Sequence, residues 1–467
     1  MKSTSEPRVP HAAFQGNVWP AVPDEKGQML LAILYQLEQT QWWSADDLRL
    51  HQYRQLAALL NHTWETVPFY RDRLEAAVLT PPFADLGDAW LRLPPLSRAD
   101  IQAAGNDIHT LKLPADHGSI SDIHTSGSTG KPVRALRSQL TLRFWSAFTL
   151  REHLWHRRDL RGKLAVIRNS TAGQDMYPDG SRYQYWGSSR RAFDTGACVS
   201  LNINASAAEQ AEWVGRENPD YLLTHPTNLM RLARQCIEDG IELPKLKDIQ
   251  TLSEILRPDV RDICRDAWGA PIKDNYSGRE VGYIALQCPD HEHYHAQSEG
   301  SLVEVVDDDN RPCGVGETGR VLVTPLHNFA MPFLRYEVGD FAEVGPPCAC
   351  GRGLPVLNRI IGREQNMLTL PGGEKRWTLL SEGGIRNLFK LAPIREYQFV
   401  QKSLETLEVR LVVGRALEGA EEQGIREWML AKFEHPFEID IKYMDELPRG
   451  RTGKLQDFIS EVDERIR

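Results

Sequence analysis

The chain has 467 residues, 41% of them apolar and 25% charged, with a formal net charge of -9 at pH 7. Two or three domains are expected at that length, and the acidic balance excludes the basic surface that nucleic-acid binding normally needs. No apolar run approaches the ~18 residues of a membrane helix, and the first twenty residues lack the apolar centre of a signal peptide. Seven cysteines, unevenly spaced and odd in number, fit a reducing compartment rather than a disulfide framework, so a cytoplasmic location is expected.

In chain order, helix-period apolar residues predict helices from Gln28 to Gln39 and from Leu48 to Leu74. Trp42, Trp43 and Tyr70, in or beside them, read as packing residues. A strand from Val133 to Arg137, a helix from Thr141 to His156 and a strand from Lys163 to Ile167 follow. An alternation comes next: helix Ser206 to Glu217, strand Tyr221 to Thr224, helix Asn228 to Asp239, strand Ile249 to Leu252, helix Arg257 to Trp268 and strand Ile272 to Asn275. That alternation predicts an α/β sheet with parallel strands. After Glu299 the texture becomes strands and turns, with Ser301 to Val306, the turn Asp307 to Asn310, and Gly319 to Thr324 forming a β subdomain. Past a hinge at Ile360 to Gly373, strands Tyr397 to Gln401, Thr406 to Val413 and Glu438 to Tyr443 flank a helix Glu421 to Phe433. The predicted fold is a large N-terminal α/β domain over 1–362, with its β subdomain, and a small mobile α+β domain over 363–467.

Five segments carry chemistry. Thr125-Ser126-Gly127-Ser128-Thr129-Gly130-Lys131-Pro132 packs hydroxyls and glycines ahead of a lysine. Glycines let backbone N–H groups approach a ligand, and hydroxyls and an ammonium add donors, so the loop reads as a polyphosphate cradle. It is not a Walker A loop, because only two residues separate Gly127 from Gly130 and Pro132 stands at the hydroxyl position. Tyr276-Ser277-Gly278-Arg279-Glu280 follows a predicted strand end, where α/β folds place ligands. Its aromatic can stack on a base and its carboxylate can hold Mg2+. Arg335 to Asp340 ends another strand with a carboxylate suited to ribose hydroxyls, and Gly362-Arg363 offers a cation to ribose or phosphate. Leu447 to Leu455 holds Lys454 on a glycine-rich loop.

In order and content these segments resemble the motifs of the adenylate-forming enzymes: acyl-CoA synthetases, peptide-synthetase adenylation domains and luciferase. Val67-Pro68-Phe69-Tyr70, Arg335-Tyr336, Cys348-Ala349-Cys350-Gly351-Arg352 and Tyr397-Gln398-Phe399-Val400-Gln401 look like the phenylacetate–CoA ligase branch. The resemblance spans roughly residues 35 to 460. It implies that a carboxylate attacks the α-phosphorus of ATP, giving an acyl-AMP and pyrophosphate, with positioned cations and N–H donors meeting the developing charge. Lys454 would then be catalytic. Thr125, Ser126, Gly127, Ser128, Thr129, Gly130 and Lys131, with Ser253, Glu254, Asn275, Tyr276, Ser277, Asp340 and Arg363, would bind ATP or AMP, and Glu280 would bind Mg2+.

Two departures bear on the acceptor. The family hinge reads Gly-Arg-x-Asp-Asp, whereas this chain has Gln365 at the second-to-last place. Where CoA-forming relatives carry a turn lining the pantetheine tunnel, this chain has Gly372-Gly373-Glu374-Lys375-Arg376-Trp377. Trp377 and the two cations can obstruct that tunnel or pair with CoA phosphates. CoA remains the first expectation, on a carboxylic acid that is aromatic. Transfer to an amine, a carrier-protein thiol or another nucleophile is the alternative, and a nucleotide-binding protein without catalysis is the third reading. The resemblance leaves room for a homodimer.

Cys288-Pro289-Asp290-His291-Glu292-His293-Tyr294-His295 and Cys348-Ala349-Cys350 supply thiols and imidazoles from two separated elements, as four-coordinate zinc sites do. Members of the resembling branch carry a Cys-His-Cys-Cys structural zinc in this region. The expected ligands are Cys288, Cys348, Cys350 and one histidine, His295 first, then His291, with His293 behind. Cys198, Cys236, Cys264 and Cys313 have no comparable neighbours in sequence.

Overall fold

The computed structural model describes residues 10–83, 86–124, 133–363, 366–377, 384–448 and 455–462. The fold is α/β, and contacts divide the chain into two units. The first comprises 1–164, 182–198 and 273–360; the second comprises 165–181, 199–272 and 361–467. Among the described residues no helix is long and apolar enough to cross a membrane.

In the first unit, Asp24 and Ser44 cap the helices Glu25–Thr40 and Ala45–Thr66, each side chain accepting from a backbone N–H of the first turn. Leu30, Ile33, Leu34 and Leu37 then fall on one buried face. The helix expected from Leu48 to Leu74 is interrupted at Val67–Pro68. Val67 is extended, as a residue before proline prefers, and the chain resumes as Tyr70–Ala76. Tyr70 is fully buried, but Trp42 and Trp43 are exposed, against the expectation of packing. Trp42 instead lies under the Arg352 guanidinium at 4.7 Å.

The sheet of this unit runs Ser301–Val306, Thr318–Pro325, Tyr336–Val344, Val356–Arg363, Tyr294–Ala296, Gly282–Gln287, Ile272–Gly278. Antiparallel pairs here put Leu302 opposite Thr324, Tyr294 opposite Gln287 and Tyr276 opposite Ala285. The helix Gln139–Trp155, capped by Ser138, packs on Glu25–Thr40. Three buried arginines tie the unit together, each to a carboxylate: Arg151 to Glu299 at 2.7 Å, Arg335 to Glu304 at 3.1 Å, and Arg158 to Glu152.

The parallel β/α alternation is found in the second unit. Tyr221–Thr224 pairs parallel with Asp248–Leu252, in the strand order Asp248–Leu252, Tyr221–Thr224, Leu164–Arg168, Cys198–Asn202. A Ser206–Glu209 capping box starts the helix Ala207–Glu217, and prolines at the first helical position start Pro226–Asp239 and Pro258–Trp268. Cys236 and Cys264 are buried in this core. The strand Ile272–Gly278, expected to continue the parallel run to Asn275, is longer and pairs antiparallel with Gly282–Gln287.

The last segment of this unit has its own core, including Leu388, Phe399, Val409, Ile425 and Met429. Its sheet order is Glu438–Tyr443, Thr406–Val413, Ile394–Gln401, Phe458–Ser460, covered by helices Gly384–Leu391 and Gly419–Phe433. A short hairpin, Met367–Thr369 with Lys375–Trp377, precedes it. Arginines join this segment to the helices Pro226–Asp239 and Pro258–Trp268. Arg257 donates to Tyr397 and Asp457, Arg231 reaches Glu396 at 3.8 Å, and Arg234 covers the Phe389 ring at 3.5 Å.

Candidate active site

The loop Thr125 to Lys131 and the catalytic candidate Lys454 lie outside the described residues, as does Gln365. The segments flanking the loop, Ile120–His124 and Arg134–Ser138, pair antiparallel with Ile123 opposite Ala135.

Tyr276 and Asp340 are brought together. The Tyr276 hydroxyl donates to Asp340 Oδ2 at 2.8 Å, joining the strand Ile272–Gly278 to Tyr336–Val344. Neither motif sits at a strand end as expected. The first strand runs on through Ser277 to Gly278, and Asp340 lies midway along its strand, after Gly339 at φ 82°. Asn275 is buried beside Tyr276. Glu280 occupies the tight turn between Gly278 and Gly282, whose φ of 91° needs glycine.

Ser253, Glu254 and Arg363 belong to the second unit. Ser253 follows Asp248–Leu252 with a left-handed φ of 71°. The Glu254 carboxylate accepts from the Thr227 amide at 3.0 Å and its hydroxyl at 2.8 Å, at the positive N-terminus of Pro226–Asp239. Arg363 is exposed and ends Val356–Arg363.

A cleft partly open to solvent lies within the first unit. Phe144, Trp145, Phe148, Tyr283, His327 and Arg137 line it, and so does Glu280. Helical spacing puts Phe144 and Phe148 one turn apart on Gln139–Trp155. Phe144 stacks flat on His327 with centroids 3.7 Å apart. Burial holds His327 down to about 4, so the ring is neutral, and its Nε2–H donates to the Glu299 carbonyl at 2.8 Å. The helix Gln139–Trp155 contributes Trp145 and Phe148 as well. His225 and Asn228 are in the second unit with their side chains hydrogen-bonded to Leu252 and to Gln210 and Thr224. Arg137, Tyr283 and His327 were missed. The aromatic spacing along 144–148 was a usable signal; nothing in the sequence marked His327.

Cys288, His295, Cys348 and Cys350 place one donor atom each within 4.8 Å of one another. Sγ of Cys350 lies 3.4 Å from His295 Nε2, and Sγ of Cys288 lies 3.9 Å from Sγ of Cys348. His295 sits on the strand Tyr294–Ala296, where burial holds its ring neutral, down to about 4. His291 is outside the four-donor group and stacks on His293, whose Nε2 is 3.0 Å from Cys348 Sγ. Burial and the neighbouring thiols push Cys348 up to about 12. Burial also acts against the Cys350 thiolate, but hydrogen bonds from the Arg352 backbone and from Cys348 outweigh it and hold Cys350 below the usual thiol value. Three thiols and one imidazole are the donor set of a closed tetrahedral zinc site, and a divalent cation would relieve the repulsion among them.

A family model described as the CapK C-terminal domain matches residues 374–461. The chain is 24% identical to a phenylacetate–coenzyme A ligase of Escherichia coli (strain K12), over 70% of this chain and 74% of that protein. It is 22% identical to a phenylacetate–coenzyme A ligase of Pseudomonas putida, over 79% and 82%. Among solved structures, a 2-hydroxyisobutyryl–CoA ligase in the postadenylation state, in complex with R3-HIB-AMP, superposes with a TM-score of 0.71 at 18% identity, covering 92% of each chain. An anthranilate–CoA ligase in complex with anthranoyl-AMP gives a TM-score of 0.50 at 19% identity, covering 72% of this chain and 64% of that one. At these identities the structural likeness is one of fold.

Proposed function

We infer the reaction from kinship: the chain belongs to the adenylate-forming superfamily, on its phenylacetate–CoA ligase-like branch, and is an ATP-dependent, AMP-forming acid ligase. The substrate carboxylate attacks the α-phosphorus of ATP, and pyrophosphate leaves as acyl-AMP forms. Two anions meet in that step, so positioned positive charge is the main catalytic contribution. Lys454 would bridge the carboxylate and the α-phosphate, and Thr125 to Lys131 would cradle the β and γ phosphates. Glu280 would hold Mg2+. Asp340, positioned by Tyr276, and Arg363 would take the ribose, with Asn275, Ser277, Ser253 and Glu254 around the nucleotide.

The acid is aromatic in this reading, and the observation that carries it is the cavity lined by Phe144, Trp145, Phe148 and Tyr283. Flat rings recognise an aryl group by offset and edge contacts that an aliphatic chain does not match. CoA is the acceptor in this reading, and 363–467, the part that holds Lys454, would turn between the two half-reactions. Gln365 and the Lys375 to Trp377 segment favour the alternative of an amine, a carrier-protein thiol or another nucleophile. Cys288, His295, Cys348 and Cys350 would bind one structural Zn2+. A cytoplasmic setting fits thiols that form no disulfide among the described residues. Pyrophosphate release over a panel of aryl, heteroaryl and aliphatic acids, followed by AMP release with and without CoA, tests the reading. Pyrophosphate release with no acid in the panel would overturn it.

A further inference from the structure

We propose that Arg137 is a specificity residue for a second acidic group on the substrate, making the preferred acid an aryl acid that carries an additional ring carboxylate. The proposal rests on the adenylation reading above and names its substrate class.

The cavity wall carries four large aromatic rings, the carboxylate of Glu280 and the guanidinium of Arg137. Arg137 lies on the strand Arg134–Ser138, one residue before the Ser138 cap of the helix that supplies Phe144, Trp145 and Phe148. Its guanidinium carbon is 5.8 Å from the Trp145 ring centroid. Its Nε is buried and has no hydrogen-bond partner among the described residues. Glu280 lines the same cavity, but among the described residues no ion pair joins it to Arg137. Burial, and then the charge of Arg279, both act against the protonated form of Arg137, so the strongest neighbouring charge is another cation.

The contrast within the same unit is informative. Arg151, Arg158 and Arg335, all fully buried, each hold a carboxylate. Arg137 differs: it is half-buried in the cavity wall, and among the described residues no carboxylate pairs with it, so part of its guanidinium is desolvated without a counter-ion. A ligand carboxylate supplies the missing partner, and the planar fork of arginine fits it through two parallel N–H bonds. The strand-to-helix junction fixes Arg137 before the ligand arrives, so little ordering is needed on binding. The reacting carboxylate is drawn to the nucleotide; the second carboxylate would sit on Arg137, with the ring stacked between Phe144 and Tyr283 side chains.

Phenylacetate and its 2-, 3- and 4-carboxy derivatives serve as probes, with binding measured by calorimetry in the absence of ATP and pyrophosphate release measured separately. At least one carboxy derivative should bind about 10- to 100-fold more tightly than phenylacetate, the range of a charge-assisted contact. Arg137→Gln should erase that ratio, and Arg137→Lys should keep part of it. Phenylacetate binding as tightly as all three derivatives would overturn the proposal. So would a ratio that survives Arg137→Gln, or a Gln variant that weakens only ATP, which would assign the guanidinium to a nucleotide phosphate. Binding with the expected ratio but without pyrophosphate release would uphold the role of Arg137 and sink the adenylation reading instead.

Discussion

Gly300 offers a direct test of the aromatic cavity. It lines the cavity, immediately before the strand Ser301–Val306, with a φ outside the left-handed region, so alanine fits its backbone. A Cβ there would lie 2.5 Å from Cε2 and 2.8 Å from Cζ of Phe148, and its next neighbour is 3.5 Å away. Carbon atoms rest about 3.5 to 4.0 Å apart, so the ring edge must retreat by about 1 Å. Phe148 is 3% exposed and its ring has Arg151 at 5.8 Å and Tyr283 at 6.2 Å. The ring also lines the cavity, which is one direction it can move. Overpacking of this kind costs about 1–3 kcal/mol, and here the cost would fall on the bound acid, lowering kcat/KM roughly 5- to 150-fold for aryl acids. Pyrophosphate-release kinetics with a bulky aryl acid and a small aliphatic one should show the loss concentrated in the former. Adding Phe148→Leu should restore room, with a coupling of about 1 kcal/mol or more between the two sites. A loss equal for both acids, or no coupling, would refute the assignment of this cavity to the acid.

Lys454→Ala should abolish acyl-AMP formation, by roughly two or more orders of magnitude for a contact made mainly in the transition state, while leaving the melting temperature unchanged. Elemental analysis should find about one zinc per chain, and Cys348→Ser should lower stability more than activity per folded molecule. With CoA as acceptor, AMP release should accelerate with CoA and Trp377→Ala should leave thioester formation unchanged or faster; AMP release insensitive to CoA would promote another nucleophile. Burial holds His327 down to about 4 and His156 down to about 2, below the ordinary 6.5, so between those values the unfolded chain binds protons that the folded chain refuses. Stability is therefore full above pH ~6.5 and falls as pH drops, by about 2 kcal/mol per histidine at pH 5; urea midpoints equal at pH 7 and pH 5 would contradict the burial.

The second unit was the more legible in sequence because its elements obey local rules. Tyr221–Thr224, Thr406–Val413 and Glu438–Tyr443 appear with the bounds read from residue pattern alone. Ser206 and Arg257 take the N-cap position just before helices whose far ends, Glu217 and Trp268, were also anticipated. The first unit was harder, since its antiparallel partners are set by long-range pairing. Gly282–Gln287 went unanticipated because its side chains are nearly all buried, which leaves no alternation to detect. Of the site, the Cys and His residues could be listed from spacing, but only the folded chain separates His295 from His291. Tyr276 and Asp340 were both marked, whereas their mutual hydrogen bond depends on strand register across 64 residues. Arg137 and His327 carried no motif, and only the cavity makes them visible.

The joint between the C-terminal segment and the helices Pro226–Asp239 and Pro258–Trp268 has a practical consequence. Its polar contacts are arginine to carboxylate, phenol or backbone oxygen: Arg257 with Asp457 and Tyr397, Arg231 with Glu396, Arg395 with Glu238, and Arg234 with the Ile394 carbonyl. The exposed pair Arg395–Glu238 is open to screening by dissolved ions, over about 10 Å at 0.1 M, whereas the Arg257 and Arg231 contacts are largely buried and are screened much less. Ionic strength therefore becomes a handle on the exposed edge of this joint, and a salt titration of turnover set beside a salt titration of acid binding would separate the joint from the recognition of the acid.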